Sequence, residues 1–291
     1  MQPRLALCSM SIGVNVTFRR IAISIEYDGS GYRGWQVQKH DPQVVQTVVE
    51  RALSLVADEP IRLKCSGRTD AGVHASSQIC HFDTSAQRTP YNWVMGTNTH
   101  LPHDISLSWA AETDSSFHAR FEALSRQYIY LIRSNSVRSA ILRNAVTSTR
   151  KRLESEKMAA ACGFLIGTHD FNAYRSANCQ SKTSVRTISL LNVHVRSDLI
   201  AIHVQANAFL QHMVRNIVGV LMSVGAGDNP VEWVKYVLQS KDRSEGGVTA
   251  PPQGLYFLGP DYKDKFYLPP TVRIPQIAKD ILKTVPVRCK A

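Results

Sequence analysis

Residues 61–82, Ile61-Arg62-Leu63-Lys64-Cys65-Ser66-Gly67-Arg68-Thr69-Asp70-Ala71-Gly72-Val73-His74-Ala75-Ser76-Ser77-Gln78-Ile79-Cys80-His81-Phe82, read as strand, turn and strand. Ile61 to Lys64 and Gln78 to Phe82 carry the strand character, and Gly67 and Gly72 bound the turn between them. Asp70 sits in that turn, two residues from Arg68. A carboxylate on a glycine-bounded turn between strands is held out from a rigid scaffold, where binding and catalytic groups concentrate. The glycines also let a ligand approach the backbone. The same spacing describes an ordinary polar turn, with Asp70 bonding its own backbone and Arg68 in solvent.

Working outward, Arg20 to Tyr27 places Ile21, Ile23 and Ile25 on one strand face, and Asp28-Gly29-Ser30-Gly31 turns the chain. Val45, Val48, Val49, Ala52, Leu53 and Val56 follow at helical spacing, stopping near Glu59-Pro60. A helix over Tyr91 to Asn98 and a strand over Ile105 to Ala110 complete a first α/β half. The arginine-rich stretch from Arg133 to Arg152 marks a boundary. Beyond it come a helix with Leu153, Met158, Ala161, Cys162 and Leu165 inward, and paired strands at Ile188–His194 and Ile200–Gln205. An apolar helix from Phe209 to Val224 is stopped by Gly225-Ala226-Gly227. A helix over Val231 to Gln239 and a closing strand over Leu255 to Leu258 follow. These readings divide the chain into an extension at 1–19, expected to be flexible, halves at 20–135 and 136–270, and a basic tail at 271–291 expected to run along the surface.

The chain has 291 residues, 44% hydrophobic and 20% charged, which predicts a packed core rather than disorder. Its 34 Lys and Arg outnumber 23 acidic residues, for a net charge of +11. Such an excess suits a polyanionic partner, although a solvated basic surface has the same composition. The six cysteines are scattered without the short spacing of a zinc or redox motif, as in reduced thiols of a cytosolic protein. Leu5 to Val16 is too short to cross a membrane. No acidic residue precedes Glu26, which leaves an organelle presequence open beside a cytoplasmic location.

Three further segments carry chemistry. In Phe121-Glu122-Ala123-Leu124-Ser125-Arg126-Gln127-Tyr128-Ile129-Tyr130-Leu131, Tyr128 and Tyr130 share a strand face, either as core or as a platform for a base. In Phe209-Leu210-Gln211-His212-Met213-Val214-Arg215-Asn216-Ile217-Val218-Gly219, four residues (His212, Arg215, Asn216 and Gly219) form a polar stripe on an apolar helix. A buried cation is costly unless paired, so Arg215 needs a carboxylate; Asp70 is the favoured partner, and another acid in a structural pair is the alternative. Pro251-Pro252-Gln253-Gly254-Leu255-Tyr256-Phe257 reads as a turn into an edge strand.

Gly67 to Ala75, together with these three segments and the opening Tyr27 to Gln36, closely resembles the motifs of the tRNA pseudouridine synthase A family. They occur in the family's order between about Arg20 and Leu268. The resemblance implies an α+β fold of two ferredoxin-like (RRM-like) α/β halves, with antiparallel sheets joined around a central basic RNA-binding cleft. It implies an isomerase making pseudouridine at nucleotides 38, 39 and 40 of the tRNA anticodon stem-loop, with Asp70 as catalytic nucleophile. It further implies Arg68, Tyr128, Arg215 and Leu255 at the substrate, no cofactor or metal, no membrane partner, and a homodimer. Arg126, Lys182 and Arg186 are the expected contacts to RNA phosphates. A non-catalytic RNA-binding protein and a metal-dependent nuclease are the competing readings. The first is disfavoured by an intact Asp70, the second by the lack of clustered carboxylates in the motifs.

Overall fold

Alternation along β1 (Arg19–Tyr27) puts Ile21, Ile23 and Ile25 into one core and Ala22 into a second core on the opposite face. Burial on both faces recurs through the sheet, because helices cover one side and loops and a late helix cover the other. The computed structural model describes residues 18–36 and 43–287. Nearly all of the expected N-terminal extension lies outside the described residues.

After β1 come α1 (Val45–Ala57), β2 (Lys64–Cys65), β3 (His74–Thr84), α2 (Pro90–His100) and β4 (Ile105–Thr113). Next are β5 (Ser125–Ser134), β6 (Thr147–Thr149), α3 (Ser155–Cys162), β7 (Gly167–Asp170), β8 (Val185–Arg196) and β9 (Leu199–Ala206). The described chain closes with α4 (Met213–Gly225), α5 (Trp233–Ser240), β10 (Leu255–Asp261) and α6 (Gln276–Leu282). The result is a mixed α/β protein with one large, mostly antiparallel sheet, ordered β4-β1-β3-β10-β5-β9-β8-β7. Two short strands flank this path, β2 on β3 and β6 on β5. The sheet is continuous only because β10, late in the chain, inserts between β3 and β5. It runs parallel to β3 over Tyr256–His74 and Phe257–Ala75, and antiparallel to β5. Further along β3, at Cys80 and His81, the partner is β2, and the Asp70 turn leaves the sheet between these two pairings.

Several elements differ from the sequence reading. Ile61 to Leu63 do not join the sheet. The Ile61 amide donates to the Ser54 hydroxyl (2.9 Å) and the Leu63 amide to the buried Glu50 carboxylate (2.9 Å), so α1 side chains replace a ladder. The helix expected from Phe209 begins at Met213, because His212 takes a left-handed conformation (φ 63°). The tail does not simply run along the surface. Ala278 and Ile281 of α6 are buried against Ile129, Leu131, Tyr256 and Leu258 on the sheet face away from α4. Their spacing is helical, so the segment buries an apolar stripe rather than lying in solvent.

Two histidines on the sheet are kept neutral by burial. His81 and His203 are each pushed down to about 4 from 6.5, by desolvation first and by a neighbouring histidine second. Between pH 6.5 and 4 the unfolded chain therefore binds the protons that the folded chain refuses, and stability rises with pH across that window. Chemical denaturation as a function of pH should show the unfolding midpoint falling as pH drops from 6.5 towards 4. His203→Gln, which cannot titrate, should flatten part of that slope.

Candidate active site

The Asp70 turn is clamped by the segment after β1. The Tyr27 hydroxyl bonds the Thr69 hydroxyl (2.7 Å), the Trp35 amide donates to the Thr69 carbonyl (3.1 Å), and the Gly72 amide donates to the Tyr32 carbonyl (3.2 Å). Within the turn the Val73 amide donates to the Asp70 carbonyl (3.2 Å). Gly34 is required for this contact: it has φ +95°, and a Cβ there would lie 2.7 Å from the Thr69 carbonyl oxygen. On the other side, Gln78 of β3 donates to the Gly67 carbonyl (2.5 Å) and accepts from the Ser66 hydroxyl (2.7 Å). The turn is thus bonded on both flanks, and the Asp70 side chain is left pointing out of it.

The first turn of α4 faces that carboxylate. Asp70 Oδ2 lies 3.6 Å from the Arg215 guanidinium and 3.4 Å from His212 Nε2. The Arg215 contact is an ion pair beyond hydrogen-bond reach, the looseness expected of a catalytic site before substrate tightens it. Arg215 is anchored instead through its Nε to the Ala250 carbonyl (2.8 Å), while its own carbonyl accepts from the Ala250 amide (3.1 Å). Gly219, one turn on, lets the Val248 carbonyl approach α4 where a Cβ would stand 2.0 Å from that oxygen. The Arg215 guanidinium and the positive end of α4 face the Asp70 carboxylate, with the His212 ring alongside. The side chains are 15% (Arg215) and 29% (Asp70) exposed, so the pair is partly dried yet reachable.

Beside the pair lies an apolar wall. Tyr128 and Tyr130 of β5 face the helices, as do Leu255 and Phe257 of β10. Tyr128 is nearly buried; its ring meets Phe209 edge-on (5.0 Å between centroids) and Phe257 at a tilt (4.9 Å). Burial first, and the Asp70 charge second, hold the Tyr128 hydroxyl in its protonated form. Burial likewise pushes the Cys65 thiol up to about 11, so it stays protonated at neutral pH. Arg68 is exposed at its rim.

The expected phosphate contacts lie apart. Arg126 donates to the carbonyls of Ser66 (3.3 Å), Arg120 (2.6 Å), Ala123 (3.2 Å) and Asn207 (3.0 Å), tying the base of the Asp70 turn to two other loops. Arg186 is buried and donates to the Thr183 and Val185 carbonyls and the Ser181 hydroxyl. Lys182 is exposed nearby. Sequence reasoning placed His212 on the polar stripe without a role, and assigned none to Phe209 or Phe257. The only signal was their position inside segments already singled out. Among the described residues no group of three or more His, Cys, Asp or Glu is placed to hold a metal.

The family model described as tRNA pseudouridine synthase matches residues 23–122 and 161–263. A relative named tRNA pseudouridine synthase A from Coxiella burnetii (strain Dugway 5J108-111) is 49% identical over 250 residues, 86% of this chain and 95% of its own length. One of the same name from Pseudomonas aeruginosa is 48% identical over 267 residues, 92% of each chain. A solved Cbf5-Nop10-Gar1 complex aligns at 11% identity over 69% of this chain and 45% of its own, with a TM-score of 0.31, too low to bear on the fold. The chain belongs to the tRNA pseudouridine synthase family.

The clamp on the Asp70 turn can be tested directly. Gly34→Ala should displace Thr69 and with it Asp70. A shift of about 1 Å in a catalytic group costs on the order of a hundredfold in rate. Steady-state assays should show kcat falling by that order while circular dichroism stays native.

Proposed function

We propose that this protein converts uridine to pseudouridine in the anticodon stem-loop of tRNA, at nucleotides 38, 39 and 40, with Asp70 as nucleophile. The observation that carries this reading is the Asp70 carboxylate, held out of a doubly bonded turn against Arg215 and His212 beside an apolar wall. The relatives' names give tRNA as their substrate, and the motifs quoted above carry the choice of stem-loop.

The reaction breaks the bond from ribose C1′ to uracil N1, turns the base, and joins C1′ to C5. The C5 hydrogen leaves as a proton and N1 takes one up, so the product is an isomer, nothing is oxidised or reduced, and no cofactor is needed. A carboxylate suits such chemistry because it can take up a sugar or base electrophile and release it again, as in glycoside cleavage. It must be ionised to do so, and the Arg215 guanidinium stands opposite it. The target uridine must leave the stack, at a cost of a few kcal/mol. Tyr128 and Leu255 offer the apolar surface to receive it, and Arg68 at the rim is placed to occupy the vacated space or hold the backbone.

We read the sheet as two ferredoxin-like halves meeting around a basic cleft, with the division falling before β5 (Ser125–Ser134) rather than at the expected 135/136. The strand order supports this: β4-β1-β3-β2 with α1 and α2 repeats as β10-β5-β9-β8 with α3 and α4. Each is a βαββαβ unit, and the two join through the parallel β3–β10 pair. A cytoplasmic homodimer, in which one subunit supports the tRNA body while the other presents Asp70, completes the proposal. Sedimentation that finds an active monomer would remove the dimer from it.

Tritium release from tRNA labelled at uridine C5 tests the reaction. Wild type should release tritium, with or without EDTA, and Asp70→Ala should release none while still binding tRNA. Release that EDTA abolishes, or strand cleavage in place of release, would favour a metal-dependent nuclease instead. Arg215→Gln should lower kcat by about tenfold to a hundredfold, since it removes charge opposite the carboxylate without removing the carboxylate.

A further inference from the structure

Arg175 is partly buried, and its backbone amide donates to the Asn172 carbonyl (3.3 Å), yet among the described residues its guanidinium has neither a hydrogen bond nor an ion pair. It lines a pocket of about 320 Å³ together with Asn172, Ser176, Lys241, Asp242 and Arg243. A half-buried guanidinium with no acceptor is costly, and the cost is recovered when an anion arrives.

The pocket's other charges do not supply that anion. Arg243 donates to the Gly247 carbonyl (2.9 Å), the Asn216 side-chain oxygen (3.2 Å) and the Thr249 hydroxyl (2.8 Å), all neutral, so its own charge stays uncancelled. Lys241 lies 3.4 Å from Asp170. The Asp242 carboxylate is turned to the Ser244 amide (2.9 Å) and hydroxyl (2.8 Å).

The pocket is bonded to the side of α4 that faces Asp70. The Ser176 amide donates to the Gln211 carbonyl (2.9 Å), and the next residue, His212, touches Asp70. The Asn216 side-chain amide donates to the Tyr174 carbonyl (2.8 Å), immediately before Arg175. Arg175 and the Asp70 site are therefore both tied to the same short stretch of chain, residues 211–216.

We propose that this pocket, with Arg175 as its principal group, takes a backbone phosphate of the RNA whose uridine enters the Asp70 site. The planar guanidinium matches a phosphate's paired oxygens, and Lys241 and Arg243 add charge on either side. The proposal depends on RNA being the substrate, as argued above.

The test is tRNA binding by wild type, Arg175→Gln and Arg175→Lys across a range of salt concentrations, beside wild-type pseudouridine formation. Losing one phosphate contact should weaken binding about tenfold and reduce the slope of log K against log salt by about 1 in Arg175→Gln. Arg175→Lys should keep most of the slope, and thermal midpoints should match wild type. An unchanged slope in Arg175→Gln overturns the proposal. So does weaker binding with a lowered thermal midpoint and the wild-type slope, which marks Arg175 as structural. A change in sedimentation instead of slope would assign the pocket to an acidic surface of a second copy. Binding with the expected slope change but no pseudouridine formation by wild type would sink the reaction and leave the subsite standing.

Discussion

The site depends on one charge interaction, the approach of Asp70 to Arg215 across the two parts of the sheet that β10 joins. Neither group is comfortable alone. A guanidinium on an apolar helix needs an anion, and a carboxylate on a half-dried turn needs a cation or donors. Each meets the other's need only if β3 and α4 are held at a fixed separation. The two-residue parallel pairing of β3 with β10 begins at His74, four residues after Asp70, and so sets that separation close to the site.

Most of the hydrogen bonding around the site serves to hold the turn rather than the carboxylate. Tyr27, Trp35, Tyr32 and Gln78 all bond the turn's backbone or its neighbours, and Arg126 ties its base to the loops at Arg120 and Asn207. This is positioning by rigid elements, which leaves the Asp70 carboxylate itself only loosely paired. The same economy explains Arg126. Burial lowers its affinity for a proton, and four carbonyl acceptors compensate for the water it has lost.

Much of the local structure was readable from the chain. The alternation in β1, the shared face of Tyr128 and Tyr130, and the stop after Val224 were legible because side-chain period and turn chemistry act over a few residues. Buried charge was legible too: Arg215 on an apolar helix demands an acid wherever the helix lies. Less legible were features whose partners are distant in sequence. Ile61 to Leu63 have strand composition, but side chains of α1 take their amides first. Residues 276–282 are flanked by basic residues that suggest a surface tail, yet their apolar stripe finds an uncovered sheet face. His212 lies in a helical pattern, but its left-handed backbone starts the helix one residue later and turns its ring towards Asp70.

The sequence by itself determined which residues make the turn, which glycines let it close and which side chains carry charge, since these are properties of neighbouring residues. Only the tertiary structure decided that β10 would lie between β3 and β5, that His212 would share Asp70 with Arg215, and that Arg126 would bond carbonyls while the Arg175 guanidinium meets no acceptor among the described residues. Those outcomes rest on non-local packing, in which a charged side chain takes whichever acceptor the folded backbone brings within reach, and no local spacing specifies that acceptor.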